Sequence, residues 1–151
     1  MATIKSTLAD YQDNERLDQR APGSLLFGKV SFAQCSFTTT ATTAAADVLR
    51  LCKLPAGAIV IPGLSFISTE DCGMDISLKI GDDDATPDDD RYSTAVSLAT
   101  AGRIAFASGV AGANPFALVQ ESWIQAVVVD AGSISVTAGQ DLTVWIAFRH
   151  P

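Results

Sequence analysis

The stretch Leu51–Tyr92, LCKLPAGAIVIPGLSFISTEDCGMDISLKIGDDDATPDDDRY, decides the fold. Ile76, Leu78 and Ile80 fall on one side of an extended chain, and Asp75, Ser77 and Lys79 on the other. That period of two marks a strand with one wet face. Pro55-Ala56-Gly57 reads as a turn, because proline presets φ and glycine tolerates positive φ. Ala58–Ile61 is wholly apolar and reads as a strand buried on both faces or against a partner. Pro62-Gly63 ends it, and Leu64–Ser68 resumes. Gly81–Asp90 reads as a loop, after which Arg91–Leu98 returns as a strand with Tyr92, Thr94, Val96 and Leu98 in phase.

The same grammar extends on both sides. Leu26–Thr40 is rich in Phe, Val and Thr, and its β-branched threonines suit a half-exposed sheet surface. Val48–Leu54 is a further strand, and Arg103–Ala107 a short one. Ser108–Pro115 is loop. Trp123–Asp130, Ser133–Thr137 and Asp141–Arg149 close the chain as strands. In the last, Leu142, Val144, Ile146 and Phe148 share one face, and Trp145 lies on the other, placed to pack under a loop or at an interface. About eight to ten short strands separated by turn signals define an all-β chain, a jelly-roll-like β-sandwich of short antiparallel strands.

Residues 1–23 do not follow this pattern. Charges of both signs alternate there, apolar residues are few, and Ala21-Pro22-Gly23 closes the region. Such a segment packs no core alone; it is a solvated tail or an arm that orders against a neighbour. A short helix over Leu8–Leu17 is compatible with it. Two domains of unequal character follow: an N-terminal arm, 1–23, and a β-sandwich, 24–151.

Composition narrows the function. The chain has 151 residues, 48% hydrophobic and only 18% charged. Its apolar surplus means an unusually large core or a surface that a partner covers, and the second is favoured because this length already supplies core enough. A net charge of −7 repels phosphate backbones and anionic lipid surfaces, so neither direct nucleic-acid nor membrane binding is expected. No run of about 18 apolar residues spans a bilayer, and the N-terminus lacks the apolar core of a signal peptide. Cys35, Cys52 and Cys72 are odd in number and widely spaced, which reads as free thiols in a reducing cytosol.

Catalysis finds no purchase. The only histidine, His150, is next to the C-terminal residue, too far out for a nucleophile–base pair in the body. GVAGAN, Gly109–Asn114, lacks the spacing of a phosphate-binding loop. Three scattered cysteines make no closed zinc site. The chain is therefore read as a non-enzyme without a cofactor. The one candidate ligand cluster is acidic: Asp82, Asp83, Asp84, Asp88, Asp89 and Asp90. Hard cations take six to eight oxygens, so a weak calcium site is conceivable, although the loop lacks the mid-loop glycine and closing glutamate of an EF-hand. A solvated hairpin tip and an acidic docking loop are the other two readings.

Three elements in order carry a resemblance: Lys53-Leu54-Pro55-Ala56-Gly57-Ala58, Lys79-Ile80-Gly81-Asp82 and Asp90-Arg91-Tyr92. Over Val48–Leu98 the chain resembles the capsid decoration, or cement, proteins of tailed bacteriophages. That resemblance implies a non-enzymatic virion protein at the capsid surface, assembled in the host bacterial cytoplasm. Its implied partners are the major capsid protein and further copies of itself, as a homotrimer. The arm would then contact the shell, with Lys5, Tyr11, Arg16 and Arg20 as contact residues. The alternatives are a tail or head-fibre base protein and a carbohydrate-binding β-sandwich, whose aromatic candidates are Tyr11, Tyr92, Trp123 and Trp145.

Overall fold

Alternation of apolar and polar residues along each strand leaves every strand with one face to bury, and two sheets bury theirs against each other. The computed structural model describes residues 3–5, 30–38, 45–69, 76–98, 100–106, 116–130, 139 and 141–150. The strands are β1 (Thr3–Lys5), β2 (Val30–Thr38), β3 (Val48–Leu54), β4 (Ile59–Val60), β5 (Phe66–Thr69), β6 (Ile76–Asp82), β7 (Asp88–Ser97), β8 (Gly102–Ala105), β9 (Ser122–Asp130) and β10 (Asp141–Arg149). One sheet runs β1-β3-β9-β6-β7; the other runs β2-β10-β5-β8, with β4 also on β10. Pairing is antiparallel except for β1, which lies parallel to β3 with Thr3 opposite Val48. The chain changes sheet at every connection except β4 to β5 and β6 to β7. That wrapping is a jelly roll, as the strand grammar leads one to expect.

The core follows from the parity. β2 points Ser31, Ala33, Cys35 and Phe37 inward and leaves Val30, Phe32, Gln34, Ser36 and Thr38 exposed. β10 contributes Leu142, Val144, Ile146 and Phe148 to the core, the face expected from its sequence. Leu51, Ile67, Leu78, Ile80 and Ile124 are fully buried between the sheets. Cys35 and Cys52 are free and buried. Their mutual hydrogen bond, with burial, pushes the Cys52 thiol well above its usual range.

Several boundaries differ from the sequence expectation, each for a local reason. The apolar run Ala58–Ile61 gives only the two-residue β4, because Pro62–Leu64 turns into one 3-10 turn. Proline cannot donate to a ladder, so the strand is interrupted and resumes as β5. Ser65 repairs the gap: the Ala147 N–H donates to Ser65 Oγ at 2.9 Å, and that hydroxyl donates to the Ile61 carbonyl at 2.9 Å. The Ile61 N–H donates to the Ala147 carbonyl at 2.8 Å. The expected loop Gly81–Asp90 is shorter, since β6 runs through Asp82 and β7 starts at Asp88. Of the N-terminal arm, Thr3–Lys5 forms β1; the rest of it, with the Leu8–Leu17 helix, lies outside the described residues. So do Cys72, the Ser108–Pro115 loop and the Ser133–Thr137 strand.

Candidate functional site

Two of the motif elements, Lys53–Ala58 and Asp90–Tyr92, reach one segment, Phe116–Trp123, and the third, Lys79–Asp82, pairs with the strand that follows it and leads into the acidic loop. The Pro55-Ala56-Gly57 turn holds its first part. Gly57, at φ 81°, donates its N–H to the Leu118 carbonyl at 2.7 Å, and the Leu118 N–H donates to Ala58 at 3.0 Å. The positive φ explains the glycine there.

The acidic loop holds the rest. Asp84 is 2% exposed and accepts from the Val119 N–H at 2.9 Å, the Gln120 N–H at 3.1 Å and the Ser122 hydroxyl at 3.1 Å. Burial alone would push Asp84 up, but the backbone N–H groups of Val119, Ala85 and Gln120 and the Ser122 hydroxyl hold it below the usual carboxylate range. Asp83 pairs with Trp123 at two points: its carboxylate accepts from the Trp123 N–H at 2.7 Å, and its own N–H donates to the Trp123 carbonyl at 3.2 Å. Asp82 is fully buried, with Arg91 Nε 2.8 Å from its Oδ2 and the Tyr92 hydroxyl alongside. Burial raises Asp82; the Tyr92 hydroxyl and the Arg91 guanidinium pull it part of the way back. Arg91 also donates to the Thr86 carbonyl and lies 4.0 Å over the Phe116 ring. The Asp90-Arg91-Tyr92 element thus ties the acidic loop to the start of the segment.

Gly81 is the hinge of this corner. A Cβ there would stand 1.8 Å from the Asp88 carbonyl oxygen and 2.6 Å from the Asp89 carbonyl carbon. Only a glycine lets β7 approach β6 this closely.

The six aspartates therefore split into two groups. Asp82, Asp83 and Asp84 face protein donors, so this half is not a solvated hairpin tip. Asp88, Asp89 and Asp90 bring carboxylate oxygens within 4.8 Å of one another. Lys79 lies among them, 3.4 Å from Asp89 and 3.8 Å from Asp90. Asp90 is raised by burial and by its hydrogen bond with Asp88. The Lys79 ammonium already supplies this group with a counter-charge. Of the arm residues, Lys5 is on β1, while Tyr11, Arg16 and Arg20 lie outside the described residues.

Parity held the clue to Asp82, since Leu78 and Ile80 point inward and Asp82 continues their row. Its charge suggested the reverse. The segment Phe116–Ser122, whose N–H groups and Ser122 hydroxyl donate to Asp84, carried no readable signal, because its partner lies 35 or more positions away. Among the described residues, the aromatic candidates for sugar stacking are engaged otherwise. Tyr92 is 1% and Trp123 7% exposed, with Arg50 5.3 Å over the Trp123 ring, and Trp145 stacks on Phe66 at 5.7 Å.

What these features define is a rigid β-body whose motif residues serve architecture. No protein-family model matches the chain, and no curated protein matches it. Solved structures do. The chain is similar to one in the capsid of Ralstonia phage GP4, with a TM-score of 0.73 and 18% identity over 99% of both chains. It is similar to a chain of the Cyanophage Pam1 capsid asymmetric unit, with a TM-score of 0.64 and 24% identity over 92% of this chain and 96% of that one. A chain of the acidic stable capsid of Helicobacter pylori bacteriophage KHP30 shares 14% identity at a TM-score of 0.52, over 81% of this chain and 89% of that one. At these identities the likeness is one of fold, and it spans most of each chain.

Proposed function

We propose that this protein is a virion structural protein, a decoration protein that binds the outside of a phage capsid shell and stabilises it. The observation that carries the reading is the whole-chain likeness to a chain of a phage capsid, end to end in both directions. The match covers 99% of this chain and 99% of that one, so the likeness is not confined to a shared part. The structure suits the role physically. Ionic and hydrogen-bonded side chains at the corner are spent on holding loops in place, which gives a stiff body at little entropic cost on binding. The partners of this reading are the major capsid protein and two further copies of the chain in a homotrimer, with the residue 1–23 arm as an added contact and no catalytic step.

Co-sedimentation of the purified chain with capsid shells that lack it tests the proposal. Saturable binding at a fixed ratio to shell subunits is expected. No binding at micromolar concentrations would overturn the decoration role and leave a tail or head-fibre base protein of the same fold.

A further inference from the structure

Strand parity places Val30, Phe32, Gln34, Ser36 and Thr38 of β2 on the outward face of the sheet β2-β10-β5-β8. On the same face, register puts Trp145 opposite Phe66 and Arg149 opposite Val30, and Arg103 opposite Ser68. Among the described residues four large hydrophobics are exposed: Val30 at 44%, Phe32 at 50%, Leu64 at 48% and Val119 at 69%. Two of them lie on this face, and Leu64 is on the 3-10 turn that interrupts a strand of the same sheet. One exposed hydrophobe needs no explanation; neighbouring ones beside a half-buried Phe-Trp pair do.

The polar groups of the face are unlike the rest of the protein. Among the described residues its charges are Arg103, Arg149 and Asp141, two cations against one anion, on a chain of net −7. Asp141 accepts from the Thr38 hydroxyl at 2.8 Å. Among the described residues neither arginine has an ion-pair partner, whereas Lys53, Lys79 and Arg91 of the other sheet are paired, with Glu121 at 2.7 Å, Asp89 at 3.4 Å and Asp82 at 2.8 Å, and Arg50 there lies over the Trp123 ring. Arginine and aromatic residues without lysine or glutamate are the composition of interface centres. Arg103 lies 3.7 Å over the Phe66 ring, and that ring stacks on Trp145, so the row is already ordered.

We propose that this face is the docking surface for the capsid shell, and that it recognises a shell surface apolar at its centre and rimmed by carboxylates. The inference rests on the decoration reading. Charge decides the occupant. A second copy packed on the same face would bring arginines against arginines with a single aspartate to offset them, which costs affinity, and a homotrimer joins its copies through unlike surfaces and not through one face paired with itself. A shell surface with carboxylates would give both guanidiniums the ion-pair partner they lack among the described residues, and would cover Phe32 and Val30.

The test uses the full chain and shells that lack it, at low and high salt. The variants are Phe32→Asp, the double variant Arg103→Glu with Arg149→Glu, and Val119→Asp, each checked by thermal melting and by sedimentation of the free chain. Expected is a loss of about tenfold or more in shell affinity for the first two, no loss for Val119→Asp, and wild-type binding that weakens with salt. Free-chain melting should stay within about 2 °C of wild type for all three, since surface changes cost little. Wild-type binding with both face variants unimpaired would overturn the docking face while sparing the decoration role. Loss confined to Val119→Asp would move the contact to the Phe116–Trp123 corner and overturn it likewise. A lowered melting point for Phe32→Asp with binding kept would mean that this chain's own residues cover the face. Loss of a self-assembled state with shell binding kept would assign the face to a second copy. Absence of wild-type binding would overturn the function and this inference together.

Discussion

Asp84→Asn isolates the tie between the acidic loop and the Phe116–Trp123 segment. The wild-type carboxylate accepts three bonds in a site 2% exposed, from Val119, Gln120 and Ser122. Asparagine keeps one accepting oxygen. In the orientation that preserves the Gln120 and Ser122 bonds, its NH2 group meets the Val119 N–H, donor against donor. Bonds to a charged group contribute roughly 1.5–3 kcal/mol each, and a stranded buried donor costs roughly 1–3 kcal/mol. The bonds share one group and are not additive, so a net loss of about 2–4 kcal/mol is expected. For a domain of this size that lowers the melting temperature by roughly 5–15 °C. The pH dependence gives a second check. Asp84 is held below its usual range in the folded state, so its contribution is full above the unfolded pKa of about 3.9 and is lost as pH falls through the lower folded value. Asp82 is shifted the opposite way, but it is present in both proteins and cancels to first order in the comparison. Melting curves of both proteins from pH 7 to pH 2.5 should show a wide gap that narrows below about pH 4. Melting temperatures within 1 °C at pH 7, or a gap that stays constant down to pH 2.5, would refute the role given to Asp84.

Three further perturbations test other parts of the fold. Gly81→Ala would drive a Cβ to 1.8 Å from the Asp88 carbonyl oxygen, and the obstacle is backbone; a loss of about 4 kcal/mol or more is expected, read as the absence of a cooperative melt, and an unchanged melting curve would contradict the β6–β7 approach. Ser65→Ala removes the acceptor of the buried Ala147 N–H, so urea unfolding should register about 1–3 kcal/mol of destabilisation, and an unshifted midpoint would show that the bridge contributes nothing. Cys35 and Cys52 are buried, so a thiol reagent should label at most one of the three cysteines rapidly in the native protein and all three in guanidinium; two fast native thiols would contradict the packing between β2 and β3.

Strand content was legible because burial and period are local. The Ile76-Leu78-Ile80 row and the Leu142-Val144-Ile146-Phe148 row each state which face is dry, and β3 and β10 have the bounds that the pattern gives. Turn chemistry was legible for the same reason, as at Gly57. The sequence therefore determined an all-β sandwich and the apolar rows that face its interior. Tertiary structure alone decided what the motif residues are for. That Asp84 caps a segment 35 to 38 positions away, that Ser65 bridges a strand break to Ala147, and that β7 needs Gly81 depend on which strands become neighbours. The same holds for the outward row of Phe66, Trp145 and Arg103, assembled from three strands. Pairing is a long-range choice among chemically similar strands, and alternation says which way a side chain points without saying what it will meet.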